Sequence, residues 1–246
     1  MYRSINIILF FISIVQAQTL DEFFSDGNNH FNKKNYNKAI LSYSQILELG
    51  FSSQDLYLNL GNAYFENKDY GNARWSYEMG LKLNPLNEDL NNNNKINKSF
   101  IDDYIEVPQN SILDNINIFF QLLSISQFIL INSILILTTA ISFFIYKISE
   151  IKILKKLFIL LSILSFIFLL ISFTKNLWDK NNKFAIIIKN ESIIYSAPYK
   201  NESIEVSKFY SGNKVKIIQS TDVWIEIYSF DGRKGWIRAQ DIRNLY

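Results

Sequence analysis

The sequence predicts a multidomain membrane protein with an all-α repeat module, a two-helix transmembrane hairpin and a small all-β barrel. Three observations support this prediction. Small and aromatic residues recur at one fixed interval near the N-terminus, and two long uncharged apolar runs follow in the middle of the chain. Short runs of β-branched and aromatic residues, separated by turn residues, then fill the C-terminal quarter.

The composition of the 246-residue chain excludes several kinds of site. No cysteine is present, so a disulfide, a thiolate metal site and a thiol nucleophile are all excluded. A single histidine, His30, is too little for a zinc site or a histidine-dependent triad. The formal net charge of +2 does not indicate a nucleic-acid-binding surface. We therefore predict a non-enzymatic protein with no catalytic residues, no cofactor, no metal and no nucleic-acid partner.

Residues 1–17 have the features of a secretory signal peptide. Arg3 supplies positive charge, Ile5 to Val15 forms an apolar core, and the sequence ending at Ala17 resembles a small-residue cleavage site. An uncleaved membrane anchor is the alternative, and the sequence leaves cleavage open. In both cases the residues after Ala17 are expected outside the cytoplasm.

A 34-residue repeat lies within residues 18–100. Gly27 and Gly61 are 34 positions apart (61 − 27). Since glycine costs a helix interior about 1 kcal/mol relative to alanine, we expect it where two helices approach closely. Pro85 is expected to end the second helix of the second copy. Three further pairs share the offset: Tyr36 and Tyr70, Ala39 and Ala73, and Tyr43 and Tyr77.

The repeat resembles the tetratricopeptide family, whose helix–turn–helix unit has this period. The resemblance implies two repeats plus a capping helix between Leu86 and Ser99, and a concave face that binds a peptide or a partner protein. The first copy departs from the pattern at Asp26, His30 and Phe51. The second copy matches at Tyr57, Leu60, Gly61, Tyr64, Ala73, Tyr77 and Pro85, and the first at Phe23, Gly27, Tyr36, Ala39 and Tyr43.

The resemblance also implies which residues form the partner-binding groove. The alternative is that its phenylalanines only contact neighbouring helices. The basic residues with which some members clamp a C-terminal carboxylate are absent at these positions, so such a ligand is not expected. By family position the groove residues are Phe24, Asn28, Phe31, Leu58, Asn62 and Phe65.

Two predicted transmembrane helices, residues 118–146 and 157–173, follow a linker over residues 101–117. Buried core helices of a soluble domain are the alternative. The loop over residues 147–156 is rich in lysine, and short positive loops stay in the cytoplasm. We therefore predict a two-pass protein of the bacterial inner membrane with both soluble modules in the periplasm.

A small barrel is predicted over residues 184–246, because this region contains five short β-rich runs and an Asp231-Gly232 hairpin turn. The stretches "YSAP", "GNKVKII" and "DGRKGWI" resemble the bacterial SH3-like domain, whose members often bind cell-wall peptides or glycans. The resemblance implies that Tyr195, Trp224 and Trp236 line a groove for a wall ligand. The alternative is that the two tryptophans are core residues of a small domain.

The order of the segments resembles the E-type proteins of the Bacteroides aerotolerance operon. This resemblance implies membrane partners bearing von Willebrand factor A domains, a MoxR-type ATPase on the cytoplasmic side, and a role in oxidative-stress tolerance or envelope integrity. The leading hypothesis is a non-enzymatic membrane-anchored scaffold that recruits envelope proteins through its repeats. An accessory subunit of an envelope enzyme would have the same sequence features, so the sequence does not separate it from a scaffold. The alternative is an anchor or sensor that binds peptidoglycan through the SH3-like domain.

Overall fold

The computed structural model describes residues 19–107, 122–199 and 204–246. The predicted signal peptide, residues 108–117 of the predicted linker and residues 118–121 of the first predicted span lie outside them. The described residues form two compact units. The first contains the described residues up to Leu81, those from Asn87 to 107 and those from Phe184 onward. The second contains Lys82–Leu86 and the described residues from 122 to Lys183.

Five helices occupy residues 19–98 of the part of the chain that the structure describes. The turns between paired helices recur with the repeat, because Lys34 and Lys68 both take positive φ, at 60° and 62°. A helix lies between Leu86 and Ser99, where the sequence predicts a capping helix, and the side chain of Asn87 accepts a hydrogen bond from the backbone N–H of Leu90 at its start (2.9 Å). The helices are α1 (residues 19–32), α2 (Tyr36–Glu48), α3 (Gln54–Glu66), α4 (Tyr70–Leu83) and α5 (Glu88–Lys98).

Gly27 and Gly61 allow each pair of helices to approach closely, as the sequence predicts. A Cβ atom on Gly27 would overlap the ring of Tyr43, and one on Gly61 would overlap the ring of Tyr77. Both rings are almost completely buried and so have little room to move. The glycine–tyrosine pairing therefore explains why these residue types recur together.

A seven-stranded antiparallel sheet forms the C-terminal part of the first unit. Its strand order is β3-β2-β6-β5-β4-β1-β7. The predicted hairpin at Asp231-Gly232 is confirmed, with Gly232 at a φ of 93° between β5 and β6. The strands are β1 (Phe184–Ile187), β2 (Glu191–Tyr195), β3 (Glu205–Tyr210), β4 (Lys214–Ser220), β5 (Trp224–Ser229), β6 (Lys234–Arg238) and β7 (Ile242–Asn244), with a 3₁₀ turn at Ala239–Asp241.

The predicted fold class is wrong. The sheet is not closed into an SH3-like barrel, because β3 and β7 are its two edges and do not pair with each other. The α1–α5 helices are not a separate all-α tetratricopeptide repeat module either, because they share one compact unit with the sheet. The physical reason is that two extra strands widen the sheet, while the helices bury part of their apolar surface against it.

A shared hydrophobic core joins the helices to the sheet. Ile186 of β1 and Leu245 after β7 belong to the same buried cluster as Trp75 of α4. The chain after α5 reaches into the sheet, where Ile105 lies in the core. The Ile105 N–H donates to Oδ1 of the buried Asn213 (2.8 Å), which holds this segment in place. Since two repeats have few neighbours to cover their apolar faces, the sheet supplies the missing cover.

A largely buried ion cluster crosses the same interface, with the side chains of Glu78 and Lys214 16% and 20% exposed. Arg74 of α4 is only 1% exposed and donates from Nη1 to the carbonyl of Gly212 (2.7 Å). Its Nε lies 3.6 Å from Oε1 of Glu78. Nζ of Lys214, on β4, lies 2.8 Å from Oε2 of the same carboxylate. Glu78 therefore links a helix cation to a sheet cation, and α4 is held on the sheet by charge as well as by apolar contact.

We expect a pH-dependent stability effect from Glu78→Gln. Burial alone would raise the pKa of Glu78, but the charges of Lys214 and Arg74 outweigh burial and hold it well below the ordinary value of 4.5. A carboxylate whose pKa is lower in the folded chain than in the unfolded chain stabilises the fold fully at a pH above its unfolded-state pKa. This contribution is lost as the pH falls toward and through its folded-state pKa. Glu78→Gln should therefore lower the melting temperature equally at neutral and mildly acidic pH, and progressively less in stronger acid.

Thermal unfolding of the detergent-purified full chain, followed by circular dichroism across this pH range, measures the effect. The matched control is Glu48→Gln, because Glu48 is an exposed residue of α2 and should change little at any pH. A melting-temperature difference for Glu78→Gln that persists unchanged into strong acid would contradict the proposed charge pairing.

The second unit is built on two paired helices, α6 (Ile125–Ser149) and α7 (Lys152–Asn181). Both are long and apolar enough to cross a membrane, at 25 and 30 residues, or about 38 and 45 Å at 1.5 Å per residue. They are antiparallel, since Phe128 packs on Phe168 (ring centroids 5.4 Å apart) and Phe143 packs on Phe158 (5.3 Å).

The connection between α6 and α7 is shorter than the predicted loop over residues 147–156. Only Glu150 and Ile151 lie between the helices. Glu150 ends α6 in the left-handed conformation, with a φ of 53°. Lys147 belongs to α6, and Lys152 begins α7. The lysines of the predicted loop therefore lie in the last turn of α6 and the first turns of α7, on either side of the short connection.

Candidate functional site

A groove of about 280 Å³ lies on α1–α3 and is the candidate functional site; we call it the asparagine groove. It brings together three of the predicted groove residues, Asn28, Phe31 and Asn62. Among the described residues no charged side chain lines it. Its lining residues are Asn28, Phe31, Asn32, Tyr43, Asn59 and Asn62.

Two hydrogen bonds, from Tyr43 and from Asn59, fix the side chain of Asn28 in the groove lining, and we call these three residues a triad. The hydroxyl of Tyr43 donates to Oδ1 of Asn28 (2.7 Å). Nδ2 of Asn59 donates to the same oxygen (3.1 Å). Because both bonds end on Oδ1, they distinguish the two ends of the carboxamide and fix its orientation.

The same triad recurs one repeat later, around Asn62. The hydroxyl of Tyr77 donates to Oδ1 of Asn62 (2.9 Å), and Nδ2 of Asn93 donates to the same oxygen (2.8 Å). Each member lies 34 positions after its counterpart (62 − 28, 77 − 43 and 93 − 59). The 34-residue period therefore repeats a polar network as well as a packing pattern, and this network extends into α5.

The hydroxyl groups of Tyr43 and Tyr77 keep their protons at physiological pH and so remain hydrogen-bond donors. Burial raises the pKa of Tyr43 to about 12. Burial, with a smaller contribution from the charge of Glu66, also raises the pKa of Tyr77 well above its ordinary value. Both phenols therefore stay protonated at physiological pH, and the two asparagine orientations do not depend on pH.

We expect Tyr77→Phe to lower the free energy of unfolding by about 1 kcal/mol, because it removes one buried hydrogen bond and leaves the ring in place. Asn62 keeps its bond from Asn93, so the fold should persist. Urea denaturation of the full chain in detergent measures the loss. Tyr228→Phe, at an exposed residue of β5, is the matched control. Equal effects of the two substitutions would show that the triad contributes nothing to stability.

The other three predicted groove residues contact neighbouring helices. Phe24 packs against Tyr43, with ring centroids 5.9 Å apart. Phe65 packs against Tyr70 of α4 (ring centroids 5.6 Å apart) and edge-on against Phe100 (5.2 Å). Leu58 packs against the buried cluster around Tyr77. Phe31 does both, since it lines the groove and also contacts Tyr36 (5.5 Å). The structure therefore places Phe24 and Phe65 against neighbouring rings, and it places Phe31 both in the groove lining and against a neighbouring ring.

Three lining residues, Asn32, Tyr43 and Asn59, were not expected in the groove. For Asn59 a signal existed in the sequence, because Asn59 and Asn93 share the 34-residue offset of Asn28 and Asn62. For Tyr43 the sequence shows only its place in the repeat, whereas in the structure its ring packs on Gly27 and its hydroxyl donates to Asn28. A ring with two functions cannot be recognised from residue spacing.

The residues predicted to bind a wall ligand lie on one face of the sheet. Tyr195 pairs with Trp236 across β2 and β6, and Trp236 pairs with Glu226, two positions from Trp224 on β5. Tyr195 and Trp224 are 9% and 8% exposed, and their rings meet edge-on at 5.4 Å. These two therefore pack on each other, and Trp236 is the more accessible ring.

An exposed tyrosine continues this face. Tyr228 is 41% exposed. It lies opposite Lys216 on β4 and Lys234 on β6, so its ring has a lysine on each side. Lys234 also forms an ion pair with Glu226 (3.1 Å). We call Tyr228, Trp236, Lys216 and Lys234 the sheet-face patch.

The described ranges contain no group of three or more histidine, cysteine, aspartate or glutamate residues that could hold a metal ion. The groove itself offers amide and phenol groups together with one apolar ring. These groups suit recognition through hydrogen bonds and apolar contact. Comparison with protein-family models and with curated protein sequences gives no match to this chain.

Proposed function

We propose that this chain is a non-enzymatic, membrane-anchored scaffold that binds envelope protein partners through the asparagine groove. The observation that carries the proposal is the groove, where two repeated triads orient asparagine side chains beside the Phe31 ring. Neutral amides and an apolar ring can bind a polypeptide, whereas acid–base or nucleophilic chemistry needs a titrating or activated group at the site.

The proposed location is the inner membrane of a bacterium, with α6 and α7 as two crossings. The helices α1–α5 precede this hairpin and the sheet follows it, yet they share one compact unit. A shared core requires both flanks on the same side of the membrane, which supports an even number of crossings. The lysines at the facing ends of α6 and α7 favour a cytoplasmic turn and hence periplasmic flanks.

The proposed partners are membrane proteins with von Willebrand factor A domains, in a complex for oxidative-stress tolerance or envelope integrity. This part of the proposal rests on the resemblance of the segment order to the E-type proteins of the Bacteroides aerotolerance operon. The groove adds a physical means of recruitment, because it lies in the part of the chain that we place in the periplasm.

Site-specific photo-cross-linking in bacterial membranes tests the proposal. We expect a photoreactive amino acid in place of Asn32, an exposed lining residue, to give a discrete cross-link to a protein with a von Willebrand factor A domain. The matched control carries the same group in place of Asn92, an exposed residue of α5, and should give no such product. Absence of a cross-linked partner at position 32, or equal products at both positions, would overturn the scaffold proposal.

A second candidate function, binding of peptidoglycan, is supported by the sheet-face patch. An exposed ring between two lysines offers a hydrophobic surface flanked by N–H donors to a polymer that carries sugars and carboxylates. Co-sedimentation of the detergent-purified full chain with isolated peptidoglycan tests it. Binding that is lost in Tyr228→Ala and kept in Tyr246→Ala, at the exposed last residue, would support it. If the unmodified chain did not sediment with peptidoglycan, this second function would be ruled out.

A further inference from the structure

The segment Lys82–Leu86, which we call the α4–α5 corner, belongs to the unit that the two long apolar helices build. It contains the end of α4 and most of the connection to α5, which begins at Glu88. The rest of α4 and the whole of α5 lie in the first unit, whereas the corner groups with α6 and α7 in the second. The environment of the corner is therefore that of the second unit.

Two leucines of the corner remain exposed in the part of the chain that the structure describes. Leu83 is 41% exposed and Leu86 is 61% exposed. A single exposed leucine is common on protein surfaces. Here two leucines lie within four residues, on either side of Asn84 and Pro85, and the corner contains no acidic residue. Few residues of the apolar stretches of α6 and α7 are buried either. Because lipid covers such helices in a membrane, lipid is also available to cover the two leucines.

The backbone of the corner limits how deep it can lie in a bilayer. Asn84, Pro85 and Leu86 are outside the helices. Irregular backbone is not tolerated in contact with the hydrocarbon core, because its polar groups find no partners there. The headgroup region supplies such partners, and amphipathic segments lie at its boundary with the acyl chains. Glu88 and Asp89, which are exposed in the first turn of α5, are expected on the water side of this boundary.

Lys82 suits a position at this boundary. It is exposed and lies in the last turn of α4, next to Leu83. A lysine can place its apolar stem along the acyl chains and keep its ammonium group among the headgroups. The acidic side chains of Glu88 and Asp89 follow closely, so the corner and the start of α5 together carry no excess of positive charge. Apolar contact, and not attraction to anionic lipid, should therefore hold the corner at the bilayer.

We propose that the α4–α5 corner is a lipid-binding surface, with Leu83 and Leu86 inserted at the boundary between headgroups and acyl chains and Lys82 at the headgroups. This inference rests on the proposed membrane crossing by α6 and α7, and it adds a lipid contact outside the two crossings. The partner is the bilayer itself, and the contact requires no particular headgroup.

Site-directed spin labelling of the full chain in phosphatidylcholine bilayers tests the proposal. Because the chain contains no cysteine, one introduced cysteine carries the only label. The test variants are Leu83→Cys and Leu86→Cys. The matched control is Leu41→Cys, at a leucine of α2 that is 65% exposed, and Leu137→Cys, on α6, is the reference for the hydrocarbon region. Collision of each label with oxygen, which concentrates in lipid, and with a water-soluble nickel chelate reports its depth.

We expect the labels at positions 83 and 86 to collide with the nickel chelate about tenfold less often than the label at position 41, because a polar solute is excluded from apolar surroundings. Their depth should lie between those of positions 41 and 137, and it should not change when anionic phosphatidylglycerol is added. Nickel accessibility at either position equal to that at position 41 would overturn the inference, and so would insertion that requires the anionic lipid.

A second measurement uses the unmodified chain, so it does not depend on whether the cysteine variants fold. A phospholipid with a photoreactive diazirine in its acyl chain, close to the headgroup, is activated in bilayers that contain the full chain. Mass spectrometry should locate adducts within Lys82–Leu86 and none at Leu41. Labelling of α6 and α7 without any adduct in the corner would contradict the proposed insertion.

The inference and the proposed membrane location fail in different ways. If the label at position 137 is open to the nickel chelate, α6 does not cross the bilayer, and the location falls together with the inference. If that label lies in hydrocarbon while the labels at positions 83 and 86 lie in water, only the inference is overturned. Neither result bears on partner binding, which the cross-linking at position 32 tests.

Discussion

Replacing Arg74 by methionine is expected to lower the free energy of unfolding of the first unit by about 3 kcal/mol or more, in the range measured when one partner of a buried ion pair is removed. Methionine fills much of the same space, so the loss reports mainly on charge and hydrogen bonding. The carbonyl of Gly212 loses its donor, and Glu78 loses the charge of Arg74 while it keeps the ion pair with Lys214.

Urea denaturation of the full chain in detergent, followed by tryptophan fluorescence, measures this loss. The matched control is Lys208→Met, which breaks an ion pair with Glu191 whose side chains are 55% and 48% exposed. Exposed pairs contribute about 1 kcal/mol or less, so this control should have little effect. If the two substitutions had equal effects, the buried ion cluster would not hold α4 on the sheet.

Gly71→Val is expected to destabilise the first unit by about 3 kcal/mol, the upper end of the usual cost of overpacking. A Cβ atom at this position would overlap Oγ of Ser211 and lie 2.8 Å from the carbonyl oxygen of Ile187. The carbonyl belongs to the backbone of a paired strand, so it cannot move aside without shifting the sheet. Helix propensity acts in the opposite direction, since glycine is the poorer helix former by a few tenths of a kcal/mol.

The sign of the Gly71→Val effect distinguishes two folds. If α4 belonged to a separate helical module, as the sequence predicted, the substitution would stabilise it slightly. If α4 packs on the sheet, the substitution destabilises both parts together. Asn37→Val, at an exposed residue of α2, is the control and should stay within about 0.5 kcal/mol of the unmodified chain. Thermal unfolding of the full chain measures both variants, and a raised melting temperature for Gly71→Val would contradict the structure described above.

Half of the predicted groove residues could be identified from the sequence because the repeat places them on one helix face. Asn28, Phe31 and Asn62 line the groove at the expected positions. The orientation of the asparagines could not be predicted, since it depends on hydroxyl groups of rings whose evident role was packing. Phe65 also could not be assigned, because the ring that covers it, Phe100, follows α5 and lies outside the repeat pattern.

The edges of the sheet were not predictable for a related reason. Of the β3 residues Glu205–Tyr210 only Phe209 is buried, so the strand shows little apolar alternation. The β7 strand has three residues, which is too short for any periodic pattern. Edge strands carry weak patterns because only one neighbour and part of one face constrain them.

Neighbouring residues encode the 34-residue period with its glycine–tyrosine pairs, the two long apolar helices and the Asp231-Gly232 hairpin, so these features could be predicted from the sequence. Long-range contacts keep the sheet open and join it to the helices in one core, so these features could not. The contacts responsible join residues far apart in the chain, as Arg74 and Gly212 do across 138 positions. A buried arginine or a helical glycine carries no periodic pattern that identifies its distant partner, so such contacts become visible only when the chain is folded.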